Sequence, residues 1–305
     1  MENVILENAL LKASQEGYEA AYQYLADELL KLPEGKYPRV VYFLMCLAAG
    51  SGKSDTALIL FEEAVLQKGY WFRKEELEDK DLESLFENTK FMDLKCLCEQ
   101  RQRIAAENAK PFCTYRGQTA SKLLLCVHGN GQNALISKSD WNFLESKELQ
   151  VEAVQSATVE SYDRFSWNFD NENFRQIEKC VKNLPWENYE EHILAGFSAG
   201  CDMILRTVAL SDIQIEALLL QSPYIPYLQE NAERIAGVCR EKGIKVGIYC
   251  GELDEVCRDM AAGLYQNLAG EGVTVSLVWQ PGMRHRFPDK MLMYGKASNR
   301  YSDLQ

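Results

Sequence analysis

The rhythm of the chain changes near residue 110, and that change constrains the fold more than any other feature. Over residues 2–110, apolar residues recur at three- and four-residue intervals with almost no strand signal. After Pro111, short runs rich in Val, Ile and Leu occupy 122–127, 150–155, 192–197, 215–221, 245–250 and 274–279. Between most of them lie amphipathic stretches at 174–183, 199–210, 226–242 and 256–269. Continuous apolar strands alternating with helices imply a mostly parallel sheet covered on both faces. The expected organisation is therefore an all-helical domain over 1–110 followed by a larger α/β domain over 111–305. In such sheets ligands bind where loops leave the carboxyl ends of the strands, so chemistry is sought just after each strand.

Helical spacing in the first domain covers 8–31, 37–50, 55–68 and 91–108, separated by the turn residues Pro33-Glu34-Gly35, Gly50-Ser51-Gly52 and Gly69. Paired short helices with tight turns are the building block of α-solenoids. The stretch beginning Asp55-Thr56-Ala57-Leu58, with Gly69-Tyr70, Leu82 and Phe91, resembles a degenerate tetratricopeptide-like array more than another small bundle. Gly50-Ser51-Gly52-Lys53-Ser54 is superficially similar to a phosphate-binding loop. That loop needs a further glycine where this chain has Leu47, and it follows a strand rather than a helix, so a plain helix–helix turn is expected.

Three segments of the second domain carry chemistry. Gly196-Phe197-Ser198-Ala199-Gly200 lies between an apolar strand and a helical run, the context in which Gly-x-Ser-x-Gly forces a sharp, strained turn that exposes the serine. At the helix N-terminus, Ser198 sits where amide N–H groups and the helix dipole favour negative charge. Upstream, a strand ends in His128-Gly129-Asn130-Gly131-Gln132-Asn133. Stabilising an oxyanion takes two fixed N–H donors. The amide of Ala199 can supply one and an amide of this loop, Asn130 being favoured, the other; His128 shapes the loop. Downstream, Gly251-Glu252-Leu253-Asp254 follows the next-to-last strand, and Gln280-Pro281-Gly282-Met283-Arg284-His285 follows the last. The order Ser…Asp…His makes Ser198 the nucleophile, His285 its base and Asp254 the residue that orients the base. Glu252 stays open as the alternative acid. Of the three histidines, His192 opens a strand at the wrong sheet edge.

With these three signatures in order at strand ends, residues 111–305 resemble an α/β-hydrolase of the carboxylesterase, dienelactone-hydrolase or acyl-thioesterase style. The resemblance implies a serine hydrolase that cleaves a carboxylic ester or thioester of a small to medium acyl group, with no metal or organic cofactor. A peptidase or amidase, an acyltransferase, and a catalytically silent binding module on the same fold are the other readings. Tyr162, Phe165, Trp167 and Phe169 in the loop at 158–173, with Tyr224 and Tyr227, are candidates for an acyl pocket; Trp167 and Tyr224 are the favoured pair. Cys201 is expected to be a packing residue beside the nucleophile.

Composition bounds the rest. A formal charge of -12 argues against affinity for nucleic acid or an anionic membrane. The longest apolar run, 40–50, is too short to span a bilayer, and the N-terminus lacks a basic segment followed by an apolar one. Ten cysteines scattered through hydrophobic segments read as reduced, buried thiols rather than a zinc site or a disulfide framework. A cytoplasmic location is expected, with partner binding, capping of the active site or self-association as the options for the helical domain.

Overall fold

The computed structural model describes residues 2–288. They form two compact units: one comprises the residues up to Asn108 together with Val159–Tyr162, the other Ala109–Thr158 and the residues from Asp163 on. Residues 289–305, assigned by sequence to the second domain, lie outside the described residues.

The first unit is helical. It comprises α1 (Glu2–Glu16), α2 (Tyr18–Lys31), α3 (Pro38–Gly50), α4 (Ser54–Glu62), the short α5 (Lys74–Leu77) and α6 (Thr89–Asn108). The expected single helix over 8–31 is two helices. Gly17 between them takes φ 91°, a left-handed value that stops α1 and starts α2. Pro38 opens α3 at its first turn, where a missing N–H costs nothing. Most of α3 is buried, and its Met45 joins Phe61, Phe72, Phe91 and Leu94 in one core. α4 runs into a π-helical turn at Glu63–Gln67. The Gly50–Lys53 segment is a helix–helix turn, with Gly52 at φ 82° and Lys53 Nζ paired to Glu19 Oε1 at 2.6 Å. Tyr162, read by sequence as pocket lining, packs its ring 4.9 Å from that of Tyr70 within this unit.

The second unit is a seven-stranded sheet. Its strands are β1 (Phe112–Cys113), β2 (Lys122–Val127), β3 (Leu149–Gln155), β6 (Glu191–Phe197), β7 (Ala217–Gln221), β8 (Lys245–Gly251) and β9 (Val275–Gln280), in the order β1-β3-β2-β6-β7-β8-β9. Only β1 is antiparallel. A further ribbon pairs β4 (Thr158–Ser161) with β5 (Arg164–Ser166). Side chains alternate between two cores. Leu123, Leu125, Val127, Leu194, Leu218, Leu220, Val246 and Ile248 face α8 (Arg175–Lys182), α9 (Ala199–Leu210), α10 (Leu228–Lys242) and α11 (Arg258–Gly270). Leu124, Cys126, Ile193, Ala195 and Leu219 face α7 (Ala134–Trp141) and Phe287. The chain moves from β2 outward to β3 and then returns to β6 on the other side of β2. The switch in direction therefore falls between the carboxyl ends of β2 and β6, where such sheets form their crevice.

The sequence reading missed β1, β4, β5, α5 and α7. β1 is two residues long, too short for a period. α7 did carry a signal: Asn133 caps it, Oδ1 accepting the N–H of Ile136 at 2.9 Å.

Phe61 is fully buried, with rings of Phe91 at 5.1 Å and Phe72 at 6.0 Å. Phe61→Ala is expected to destabilise the helical unit by about 3–5 kcal/mol, read as a lowered urea midpoint or faster amide exchange confined to residues of that unit.

Candidate active site

Ser198 follows β6 with φ 52° and ψ −122°, a strained conformation for a residue with a Cβ. Flanking glycines make that turn sterically possible. A Cβ on Gly196 would lie 2.8 Å from Ile204 Cδ1, and one on Gly200 would lie 2.3 Å from the carbonyl oxygen of Val127. The turn is fixed by backbone bonds: Ser198 N–H donates to Gln221 O at 3.0 Å, and Ser198 O accepts from Cys201 N at 3.0 Å and Tyr224 N at 3.3 Å.

Three side chains from the ends of β6, β8 and β9 meet in series. Ser198 Oγ is 2.9 Å from His285 Nε2, and His285 Nδ1 is 2.9 Å from Asp254 Oδ2. Gly251 lets the histidine loop close against β8, since a Cβ there would lie 2.2 Å from Met283 O. Asp254 is 1% exposed. Its Oδ1 accepts N–H groups from Cys257 at 3.0 Å and Val256 at 3.2 Å. Burial alone would raise the Asp254 carboxyl, but hydrogen bonds from His285, the Cys257 amide and the Ser222 hydroxyl offset it and hold the carboxyl below its ordinary range. Glu252 is exposed and reaches the Gly282 amide at 3.4 Å rather than the histidine.

The loop after β2 lies against this serine, because a Cβ on Gly129 would meet Phe197 Cδ1 at 2.9 Å and Ser198 Cβ at 3.3 Å. The loop is tied at nearly every residue. Gly129 N–H donates to Gln132 Oε1 at 2.9 Å, Gly131 N–H to Phe165 O at 2.9 Å, and Asn130 Oδ1 accepts Trp167 N–H at 2.8 Å. Among the described residues, no acceptor engages the backbone N–H of Asn130 or of Ala199. His128 is fully buried, its Nδ1 on Gly129 O at 2.8 Å and its Nε2 accepting Ser156 N–H at 3.2 Å. Both ring nitrogens of His128 are thus committed in the neutral form; those of His192 lie 2.9 Å from Glu216 Oε2 and 2.7 Å from Trp186 O.

The candidate pocket residues divide. Trp167 is 1% exposed and donates its indole N–H to His128 O at 2.7 Å, so it supports the glycine-rich loop from behind instead of facing an open space. Tyr224 is partly exposed, with Phe169 edge-on at 5.4 Å. A polar cavity of about 480 Å³ opens beside Phe169, Arg206, Tyr227 and Arg234; Ser198, Asp254 and His285 do not line it. Asp202 is paired in the core with Arg206 at 2.6 Å, and Cys201 is a buried packing residue whose thiol burial pushes up.

Sequence reasoning missed two residues at this site. Ser222 is fully buried with φ 45° and accepts Gln221 Nε2 at 3.0 Å. Cys257 Sγ lies 3.4 Å from His285 Nδ1. Only the fold brings Ser222 to Asp254, whereas Cys257 shares a local turn with Asp254, three residues on, and the fold brings His285 to both.

Residues 1–106 match the family described as A/B hydrolase-like, N-terminal domain. Among solved structures, an uncharacterized protein from Bacillus cereus is 25% identical, with 97% of each chain covered and a TM-score of 0.55. A Bacillus cereus carboxylesterase is 16% identical over 67% of this chain and 99% of its own, with a TM-score of 0.48. Zea mays acyl-protein thioesterase 2 is 12% identical over 65% of this chain and 100% of its own, with a TM-score of 0.49. No curated protein matches the sequence. The second unit has the α/β-hydrolase fold. The first contains residues 1–106, which are similar to an A/B hydrolase-like N-terminal domain. No described helix is long and apolar enough to cross a membrane.

Burial lowers the His128 pKa from 6.5 to about 4. A histidine held neutral in the fold but protonated when unfolded costs stability as the pH falls from 6.5 towards 4; above 6.5 it costs nothing. The full loss is about 3 kcal/mol. Urea titrations at pH 7 and pH 4.5 are expected to show a smaller pH dependence in His128→Gln than in the wild type.

Proposed function

We propose that the protein is a serine hydrolase that cleaves a carboxylic ester or thioester of a small to medium acyl group through an acyl-Ser198 intermediate. The observation that carries this reading is the unbroken series Ser198 Oγ–His285 Nε2 and His285 Nδ1–Asp254 Oδ2, both hydrogen bonds 2.9 Å, beside two backbone N–H groups that no acceptor among the described residues engages. His285 takes the Ser198 proton as the oxygen attacks the acyl carbon, then returns it to the departing alcohol or thiol. Water, deprotonated by the same histidine, releases the acid and restores the serine. Asp254, ionised and buried, fixes the tautomer that leaves Nε2 free to accept, and stabilises the imidazolium. The amides of Ala199 and Asn130 receive the oxyanion; the ties that fix the loop mean they need not reorganise.

Tyr224, whose N–H donates to Ser198 O, and Phe169, edge-on to it, form one wall of the acyl site in this reading, with Trp167 behind the loop as support. The packing of successive helices, α1 on α2, α2 on α3 and α3 on α4, supports a tetratricopeptide-like role in binding a protein partner or a second copy. All ten cysteines are free, which suits a reducing cytoplasm.

A fluorophosphonate probe is expected to label the wild type and leave Ser198→Ala unlabelled, and p-nitrophenyl ester turnover should fall by about 10⁴-fold or more. Asp254→Asn should lose about 10³–10⁴-fold in kcat, whereas Glu252→Gln should stay within about threefold. Equal losses in those two variants would overturn the assignment of the acid, and labelling that persists in Ser198→Ala would overturn the nucleophile.

A further inference from the structure

His285 Nδ1 has two neighbours, not one. Besides Asp254 Oδ2 at 2.9 Å, Cys257 Sγ stands at 3.4 Å, and the three ligand atoms lie within 4.8 Å of one another. A carboxylate oxygen, an imidazole nitrogen and a thiol sulfur are the donor types that bind zinc and its thiophilic relatives. With bonds of about 2.3 Å to sulfur and about 2.0–2.2 Å to nitrogen and oxygen, a tetrahedral ion separates S from N by about 3.5 Å and N from O by about 3.4 Å. The observed 3.4 Å already matches the first edge, and the second needs only a few tenths of an ångström as the N–H···O bond is given up. The donors come from adjoining segments: Asp254 and Cys257 from one turn, His285 from the loop that Gly251 holds against it. The His285 side chain is 32% exposed, which gives an ion a way in and a water the fourth position.

The other grouping of metal-ligand types, Cys46 with Asp79 and Asp81, differs in kind. Its carboxylates already accept the hydroxyls of Tyr42 at 2.9 Å and Tyr18 at 3.0 Å, and it has no imidazole.

We propose that Asp254, Cys257 and His285 form a capture site for a thiophilic divalent cation of the Zn²⁺ or Cd²⁺ type, and that its occupation switches off the base. The ion takes the lone pair of Nδ1, so the imidazole proton moves to Nε2. His285 then donates towards Ser198 and can no longer accept its proton. Cys257 binds as thiolate and releases one proton to solvent, so one proton leaves for each ion bound. The inhibitory consequence rests on the proposed role of His285 as base; the binding does not.

Cd²⁺ titration tests the site, because cadmium–thiolate bonds absorb in the ultraviolet. The wild type, Ser198→Ala and Cys96→Ser, the last lacking the exposed thiol, are expected to develop the band with one ion bound. Cys257→Ser and Cys257→Ala should lose it, with circular dichroism showing that both fold. Esterase turnover, compared with each variant's own metal-free rate, should be inhibited by Cd²⁺ and by Zn²⁺ in the wild type and restored by a chelator. The Cys257 variants should need at least about tenfold more metal for the same inhibition, one order of magnitude being about 1.4 kcal/mol of binding. Inhibition unchanged in both Cys257 variants, or no band in the wild type, would overturn the site. A band that forms in Ser198→Ala while the wild type turns over no ester would uphold the metal site and instead remove the hydrolase reading.

Discussion

A Cβ on Gly200 would sit 2.3 Å from Val127 O and 2.7 Å from His128 O, and one on Gly251 would sit 2.2 Å from Met283 O. At these two points backbone touches backbone with no room for a side chain, and the geometry of the site follows from that. The first contact presses the opening turn of α9 onto the exit of β2, which brings the glycine-rich loop beside Ser198. The second presses the loop carrying His285 onto the end of β8, which brings it to Asp254. Groups that must lie within hydrogen-bond reach are thus set by the main chain of a rigid sheet rather than by flexible side chains.

Electrostatics builds on that frame. A carboxylate that is 1% exposed is costly unless its lone pairs are satisfied. Asp254 has two amides on one oxygen and the imidazole N–H on the other. Behind it runs a second layer: Gln221 Nε2 donates to Ser222 Oγ at 3.0 Å and to Gln280 Oε1 at 3.1 Å, linking the ends of β7 and β9 beneath the acid. Ser198 and Ser222 follow neighbouring strands, and both take positive φ. Strain of order 1–3 kcal/mol at each persists only where surrounding structure dictates it, and here two all-apolar cores on either face of the sheet supply that support.

How much of this was legible in the sequence depended on range. Residues within one element announced themselves: the six core strands of the parallel sheet and α9 lie where periodicity put them, with ends shifted by at most two residues. Gly196 was readable because its contacts, Ile204 and Cys201, are made by the local strand–turn–helix; Gly200 was readable from the same motif, although the contacts it permits, to Val127 O and His128 O, come from β2. Asp254 was favoured over Glu252 but Glu252 stayed open, because two carboxylates two residues apart differ only in which way a turn points them. Trp167 was misread for a related reason. An indole in a loop looks like pocket lining until its N–H is found bonded to His128 O, 39 residues back. Gly17 was missed as a helix break because a period of 3.6 continues across it; only its φ of 91° interrupts the backbone.

Cys257 shows the same limit from the side of chemistry. In sequence it is one of ten scattered apolar thiols, and its packing in the main core beside Ala261 and Leu264 fits that reading. Yet the turn that aims the Asp254 carboxylate at His285 uses the Cys257 amide as a donor, at 3.0 Å, so the residue's backbone cannot leave the acid. Its side chain is then bound to lie near whatever the acid orients. A small apolar side chain there would pack as well, but only sulfur adds a soft ligand next to the imidazole nitrogen that must keep its proton for the base to work. In the proposed reading, the same backbone bond that stabilises the buried Asp254 therefore also places a thiol where a metal ion competes for the His285 imidazole.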